Sequence, residues 1–258
     1  WRDGSESGTY NEKFEFDFYD IIDDNTIETE LSWHGIANHQ IMGGFQIKKV
    51  DYDLGMDFEF ETLDTLISLS PLSQKDQTVE SSLFLQDKWS LTQKIVLQLG
   101  GRFMDYSEHD ELYFDPRIGF KYLAKEDLSF KLSLGRYHQF LTIANPEDET
   151  WRIIDFWLGI TEEQKAPYSD HYILGLEYLS EDNWLFRCET YYKHFENLIT
   201  LKQGQLFTED ESGARFTPFN EFYPTKAYAY GLEMLYKKTA GRLRGWIGYT
   251  YAETKKHI

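Results

Sequence analysis

The sequence predicts an all-β fold, an antiparallel up-and-down transmembrane β-barrel segment with about ten strands in five hairpins. Three observations predict it. The strands alternate between apolar and polar residues, tight turns alternate with long loops, and an aromatic residue precedes each of five tight turns. Aromatic rings gather at the water interfaces of membrane proteins, so these five residues mark one rim of a barrel. They are Trp33, Trp89, Tyr122, Tyr178 and Tyr236.

The composition fits a membrane barrel better than a soluble domain. Aromatic residues make up 17% and charged residues 27% of the 258 residues, and the formal net charge is -18. The mean hydropathy is -0.55. A barrel wall combines a lipid-facing apolar band with a polar lumen, so it needs both kinds of residue. The chain has no run of about 18 apolar residues, which excludes an ordinary transmembrane helix, and its acidic balance argues against nucleic-acid binding.

Five hairpins can be placed in order along the chain. In each one, two strands share a tight polar turn. The hairpins are 26–37 with 40–60, 80–91 with 94–106, 112–124 with 127–141, 169–180 with 183–200, and 226–238 with 242–254. We therefore predict a single partial barrel domain over residues 1–258, with the strands in 26–254. Residues 1–25 are expected to form an extracellular arm, because acids stand there where a lumen requires small residues.

Period-two alternation supports the strands from the second hairpin onward, whereas the first hairpin rests on the turn after Trp33. Odd residues from Ile95 to Phe103 are apolar or glycine, and even residues from Leu128 to Leu134 are large and apolar. The later strands have their apolar side at the even residues of 172–178, 184–192 and 228–236 and at the odd residues of 247–251.

Short turns and long loops fall at opposite ends of these strands. Outer-membrane barrels have tight periplasmic turns and longer extracellular loops, so the pattern predicts which rim faces outward. The long connections are 61–79, 107–111, 142–168 and 201–225. Acidic residues concentrate in such regions, so most of the negative charge belongs to the outer rim. We expect 107–111 to be a solvated loop.

Several passages resemble the barrel of TonB-dependent outer-membrane receptors. Residues 82–91, SLFLQDKWSL, followed by 97–103, LQLGGRF, are similar to the family pattern QD-x-W-x-L and L-x-x-G-x-R. Further similar passages are DPRIGF at 115–120, LSLGRY at 132–137, APYSDHY at 166–172, GLEY at 175–178, ETYYK at 189–193 and AYGLE at 229–233. Each passage alone is weak, but their order matches the family over most of 82–251.

The resemblance implies a receptor in the outer membrane of a Gram-negative bacterium. Such receptors import a scarce ligand, such as a ferric siderophore, cobalamin or a glycan, by energy-coupled transport, without catalytic residues or a cofactor. They are similar in having a plug domain inside a barrel of about 22 strands. The implied partners are membrane lipid, the plug and a TonB-type energy-coupling complex that acts through the plug. No plug sequence is present, so we expect the chain to be an internal part of a larger receptor.

Two sets of residues are candidates for function. The first set mixes both charges on the predicted lumen side, which favours a salt-bridged lining over an acid pair for catalysis. Its members are Lys131, Glu177, Arg187, Glu189, Lys193 and Glu233. The second set lies in the long loop 145–167 and comprises Trp151, Phe156 and Trp157. These aromatic residues either receive a ligand at the outer mouth or form the loop's own small core.

The sequence leaves two alternative functions open and predicts no metal site. Ten strands could close on themselves to form a small outer-membrane pore or barrel enzyme, or the chain could be a soluble β-rich binding protein. The seven histidines are scattered without metal-site spacing, so no metal site is predicted.

Overall fold

A computed structural model describes residues 13–62, 65–146, 156–201, 207–210, 213–216 and 222–257. Within these residues every regular element is a β-strand, and no helix is long and apolar enough to span a bilayer. The strands are β1 (Lys13–Trp33), β2 (His39–Thr62), β3 (Thr65–Ser90), β4 (Ile95–Tyr106), β5 (Tyr113–Lys125), β6 (Leu128–His138), β7 (Leu141–Pro146), β8 (Phe156–Gly159), β9 (Tyr168–Leu179), β10 (Trp184–Leu201), β11 (Phe207–Asp210), β12 (Gly213–Phe216), β13 (Phe222–Lys238) and β14 (Gly245–His257).

Ten of these strands form one antiparallel meander. Their order in the sheet is β1, β2, β3, β4, β5, β6, β9, β10, β13 and β14, which confirms the predicted ten strands in five hairpins. Successive strands pair because the connections at one end are too short to reach any other neighbour. In the described part of the chain, β1 and β14 lie at opposite edges and do not pair with each other.

The tight turns use residues that tolerate left-handed backbone. Asn38 has φ of 66°, Asn183 has φ of 61° and Gly241 has φ of 107°. Asparagine and glycine enter this region at lower cost than other residues, so polar turns of this composition reverse the chain within a few residues. The side-chain hydroxyl of Thr92 accepts hydrogen bonds from the amides of Lys94 and Ile95 and closes a further turn in the same way.

The first three strands extend much further than the sequence predicted. Residues 65–79 were expected in a long connection, but they belong to β3 and pair with β2, with Ile67 opposite Phe60. A strand needs only about 9–11 residues to cross a bilayer, whereas β3 has 26. Strand pairing uses backbone groups, so β2 and β3 stay paired where the apolar alternation has ended. Lys75 there binds Asp53 at 3.2 Å.

The predicted arm also lies partly within a strand. Its described residues from Lys13 onward form the first part of β1, paired with β2 as far as Glu61. The position of this part outside the membrane stays a prediction. Two small hairpins occur within the long connections: β7 pairs with β8 and with β10, and β11 pairs with β12.

The register separates the meander into two faces. On the apolar face, one row of directly opposed residues runs Phe120, Leu132, Leu174, Thr190, Leu232 and Tyr251. On the polar face, the neighbouring row runs Lys131, Gly175, Glu189, Glu233 and Thr250. The five aromatic residues before the tight turns all lie on the apolar face and are exposed. The prediction that they share one side at one rim is confirmed.

Candidate functional site

A buried cluster covers the polar face at the distal end, by which we mean the strand ends opposite the tight turns. The cluster joins β4 and β5 to the chain that follows β6 and to β10. Its members are Met104, Tyr106, Tyr113, Phe140, Ile160, Ala166 and Ile199. Ile160 has no exposed surface and Tyr106 only 1%. The rings of Tyr106 and Phe140 stack with centroids 4.3 Å apart, so the cluster is a packed aromatic core.

Residues 156–167, which we call the anchored segment, lie across this end of the polar face. The amide of Trp157 donates to Oδ2 of Asp20 on β1 at 2.9 Å. The hydroxyl of Tyr106 on β4 donates to the carbonyl of Ile160 at 2.9 Å. The segment follows β6 and β7 in the chain, but these two hydrogen bonds connect it to β1 and β4. The segment therefore contacts the distal parts of β1, β2 and β4.

The anchored segment fits closely against its neighbours. A Cβ on Gly159 would lie 3.0 Å from the ring of Tyr52, so a side chain there would force one of them to move. Burial raises the pKa of Tyr52, because the ionised phenolate is disfavoured away from water. Burial likewise raises the pKa of Asp20, and its hydrogen bond from the Trp157 amide only partly offsets that shift.

The loop between β4 and β5 also holds the anchored segment. His109 contacts the carbonyl of Thr161 through Nε2 at 2.9 Å and the hydroxyl of Tyr113 through Nδ1. The Tyr113 hydroxyl donates to Oε1 of Glu111 at 2.7 Å. Burial and this hydrogen bond to the carboxylate both raise the pKa of Tyr113. Ser107, Asp110 and Glu111 are exposed, as predicted for a solvated loop, whereas His109 is partly buried because a distant segment packs on it.

Another histidine, His138, lies beside this cluster with 9% of its side chain exposed. Nδ1 of His138 and Oδ1 of Asp115 are 2.6 Å apart, and the His138 amide donates to Oδ2 of the same carboxylate. Only 3% of the Asp115 side chain is exposed, so the two hydrogen bonds compensate for the loss of water around it. This pair ties the end of β6 to β5 directly below the anchored segment.

The predicted aromatic mouth residues are only partly accounted for. Trp151 lies outside the described residues, Phe156 begins β8, and Trp157 follows it with a partly exposed side chain. Leu158 and Ile160 of the same segment are buried. Whether the three aromatic residues contact a ligand stays a prediction.

All six predicted lining residues lie on the polar face, and three of them meet. Glu177 accepts from Lys131 at 3.1 Å and from Arg187 at 2.9 Å through the same carboxylate oxygen. Glu189 and Glu233 are opposed across β10 and β13. Nζ of Lys193 is 5.0 Å from the ring centroid of Tyr191. The set is thus a mixed charged surface with one ion-paired centre.

The sequence did not identify a basic groove of about 480 Å³ on the same face. The guanidinium of Arg117 lies 4.8 Å from the ring centroid of Tyr137 on one side of it. The groove is lined by Lys88, Gln98, Arg117, Lys121, Lys131 and Ser133, among others. These residues come from four strands, and only the register reveals them as neighbours. Among the described residues no cluster of histidine, cysteine and carboxylate side chains could hold a metal ion.

Comparisons with known proteins agree on one family. The model of the TonB dependent receptor-like β-barrel family matches residues 1–257. Among solved structures, the siderophore receptor PirA from Pseudomonas aeruginosa is similar at 15% identity over 91% of this chain and 57% of its own, with a TM-score of 0.54. The ferric yersiniabactin uptake receptor FyuA from Yersinia pestis is similar at 11% identity over 95% of this chain and 37% of its own, with a TM-score of 0.64.

A third structure, the outer membrane transporter YddB from Escherichia coli, is similar at 12% identity over 92% of this chain and 34% of its own, with a TM-score of 0.60. No curated protein matches the chain. The chain thus spans between 34% and 57% of the length of these three structures. At such identities the likeness concerns the fold.

Proposed function

The chain belongs to the TonB-dependent receptor-like β-barrel family, and we propose that it forms part of the wall of a receptor that imports a scarce ligand by energy-coupled transport. Members of this family are outer-membrane proteins of Gram-negative bacteria, and so is this chain. The family is one of transport receptors. A soluble binding protein is excluded by this membership.

One observation carries the proposal: the two faces keep their character across the six strands β5, β6, β9, β10, β13 and β14. On one side of the sheet a row of six opposed residues, most of them apolar, suits contact with lipid. The opposite side of the same strands is polar and suits a water-accessible lumen. A soluble sheet would bury its apolar face under a second layer. Here Leu174 on that face is 58% exposed, which is the arrangement that lipid contact requires.

We assign the polar face to the lumen, where a plug domain would pack. Lys131, Glu177 and Arg187 form its ion-paired centre, while Glu189, Lys193 and Glu233 extend the charged surface. Ion pairs on a wet surface contribute little to stability but set which groups can dock beside them. The energy for transport would come from a TonB-type complex acting through the plug.

We assign the distal end to the extracellular mouth, with Trp151, Phe156 and Trp157 as ligand contacts. The hydrogen bond from the Trp157 amide to Asp20 supports this assignment, because it holds Trp157 against β1 at the distal end. Aromatic faces bind apolar and planar parts of a ligand at low entropic cost. The similar structures named for siderophore uptake favour a ferric siderophore over cobalamin or a glycan.

Whole-cell uptake tests the proposal. Cells with and without the intact receptor would receive a ⁵⁵Fe-labelled siderophore, ⁵⁷Co-labelled cobalamin or a labelled oligosaccharide, each with and without a protonophore. We expect one of the three to accumulate only in cells that carry the receptor and have an energised membrane. Receptor-dependent accumulation that a protonophore leaves unchanged would instead indicate a passive pore.

Two tryptophan variants test the mouth assignment separately. Trp157→Ala should weaken binding of the transported probe about tenfold, because an aromatic contact contributes roughly 0.5–1.5 kcal/mol beyond the area it buries. Trp246→Ala makes the same chemical change beside a tight turn, at the opposite rim, where the side chain is exposed. It should leave binding unchanged. Equal losses in the two variants would contradict the assignment.

A further inference from the structure

The contacts of His109 impose a condition on the protons of its neighbours. The Thr161 carbonyl can only accept, so Nε2 of His109 must carry a proton. The Tyr113 hydroxyl has one proton and two neighbours that could take it, Nδ1 of His109 and Oε1 of Glu111. One proton cannot serve both contacts.

The condition has two solutions. If Tyr113 donates to Glu111, then Nδ1 must donate to the Tyr113 oxygen, and His109 is an imidazolium. If Tyr113 donates to Nδ1, then Glu111 must be protonated and donate to the Tyr113 oxygen. Both solutions hold one proton more than a neutral histidine beside an ionised carboxylate. The three hydrogen bonds therefore exist together only when the group binds an additional proton.

We propose that His109, Glu111 and Tyr113 form a proton-operated latch that holds the anchored segment over the distal end. With the proton bound, the three side chains are fully hydrogen-bonded and His109 donates a hydrogen bond to the Thr161 carbonyl. When the proton leaves and the Tyr113 hydroxyl donates to Glu111, the Nδ1 lone pair of His109 faces the oxygen of the buried Tyr113, so His109 must move and its hydrogen bond to the Thr161 carbonyl weakens. This inference concerns the pH response of the segment and does not depend on the transported ligand.

The direction follows from the proton count. The latch is complete at low pH and is lost as the pH rises through the dissociation of the bound proton. Other charged or titratable groups on the elements that carry this group or pack against it set the pH at which this happens. They are Glu108 and Asp110 on its own loop, Tyr106 on β4, Asp115 on β5, His138 on β6, Tyr52 and Asp76 beyond Tyr106, and Glu162, Glu163 and Lys165 on the anchored segment.

The sequence alone does not reveal the latch, because His109 and Thr161 are far apart along the chain. Fifty-two positions separate His109 from Thr161, and a backbone carbonyl leaves no mark on a sequence pattern. Other contacts hold the same segment without a titrating partner in the physiological range, among them the Tyr106 hydroxyl to Ile160, the Ile160 amide to the Phe140 carbonyl, the Gln139 amide to the Pro167 carbonyl and the Asn197 side-chain amide to the Ala166 carbonyl. Loss of the latch should therefore loosen the segment and leave it attached.

A spin label on the segment tests the latch directly. In the intact receptor with Cys188→Ser, Glu163→Cys places a nitroxide label on an exposed residue of the anchored segment. Electron paramagnetic resonance spectra recorded from pH 5 to pH 9 give the ratio of mobile to immobile label. We expect this ratio to rise about tenfold with pH. A ratio that stays constant over this range would overturn the proposal.

The variant Glu111→Gln separates a proton latch from simple packing. Its amide can donate to the Tyr113 oxygen while Tyr113 donates to Nδ1, so every contact is made without an additional proton. We expect this variant to stay immobile across the range. A rise equal to that of the unmodified latch would contradict the proposal. His194→Gln is the matched control, because His194 binds Glu196 on the apolar face and its loss should leave the transition in place.

Discussion

Large apolar side chains have opposite surroundings in two regions of this molecule. Midway along the meander Leu174 is 58% exposed, whereas at the distal end Ile160 has no exposed surface. The first region, the wall, relies on lipid to receive its apolar residues. The second region, the distal end, builds a protein core from Tyr106, Phe140 and Ile160. Apolar side chains of one chain thus avoid water in two ways, by contact with lipid in the wall and by packing against other protein residues at the distal end.

The difference explains why the two regions follow different sequence rules. In the wall, lipid on one side and water on the other impose a period of two residues on each strand. At the distal end, no external boundary imposes a period, and the contacts join residues that are far apart in sequence, such as Asp20 and Trp157. Changes in the wall should therefore depend on which face they touch, and changes at the distal end on which contact they remove.

The largest effect should come from a charge on the apolar face. Leu132→Arg should destabilise the inserted receptor by roughly 2–4 kcal/mol, because lipid cannot solvate the guanidinium near the bilayer midplane. Ser133→Arg is the matched control on the polar face of the same strand and should be tolerated. Urea unfolding from lipid vesicles measures both. Equal destabilisation would mean that the two faces have been assigned wrongly.

A smaller effect should follow the loss of one contact at the distal end. Tyr106→Phe keeps the buried ring but leaves the Ile160 carbonyl without its donor, at a cost of about 1–3 kcal/mol. Hydrogen exchange should then increase in residues 156–167 and remain unchanged in β9 and β10. Exchange that increased evenly over the whole sheet would contradict the view that the two regions are held independently.

As the pH is raised, the distal end should open at a lower pH than the wall. Burial raises the pKa of Tyr106 and of Tyr113, so their neutral forms stabilise the folded distal end. That stabilisation is complete below pH about 10, the pKa of an exposed tyrosine, and is lost as the pH rises above it. Hydrogen exchange corrected for its intrinsic pH dependence should show residues 156–167 opening above pH 10 while β6 stays protected.

The smallest effect should come from the ion-paired centre of the polar face. Glu177→Gln removes the charge that binds Lys131 and Arg187. Because all three side chains remain partly in water, the loss should be at most about 1 kcal/mol. Urea unfolding at low and high salt would check this, with a smaller difference at high salt. A loss as large as that of Leu132→Arg would show that this face is drier than we infer.

Comparison of the predicted and observed strands shows where sequence reasoning holds. Residues 128–134 alternate without exception, and β6 spans Leu128–His138 within the predicted strand 127–141. Residues 65–79 do not alternate, and their assignment to a loop was wrong because strand pairing needs only the backbone. The lining residues Lys131, Glu177 and Arg187 lie on one face, but their shared contact could not be foreseen without the register, and their position in a lumen stays a prediction.

The sequence by itself determined the wall of this protein: its strands, its two faces, the aromatic rim and, by resemblance, its family. It could do so because lipid and water act on every residue of a strand in turn and so leave a local period. Only the tertiary structure decided the distal end, where the anchored segment, the His138 and Asp115 pair and the contacts of His109 arise. Those contacts depend on where chain segments far apart in sequence meet, and such meetings leave no local period.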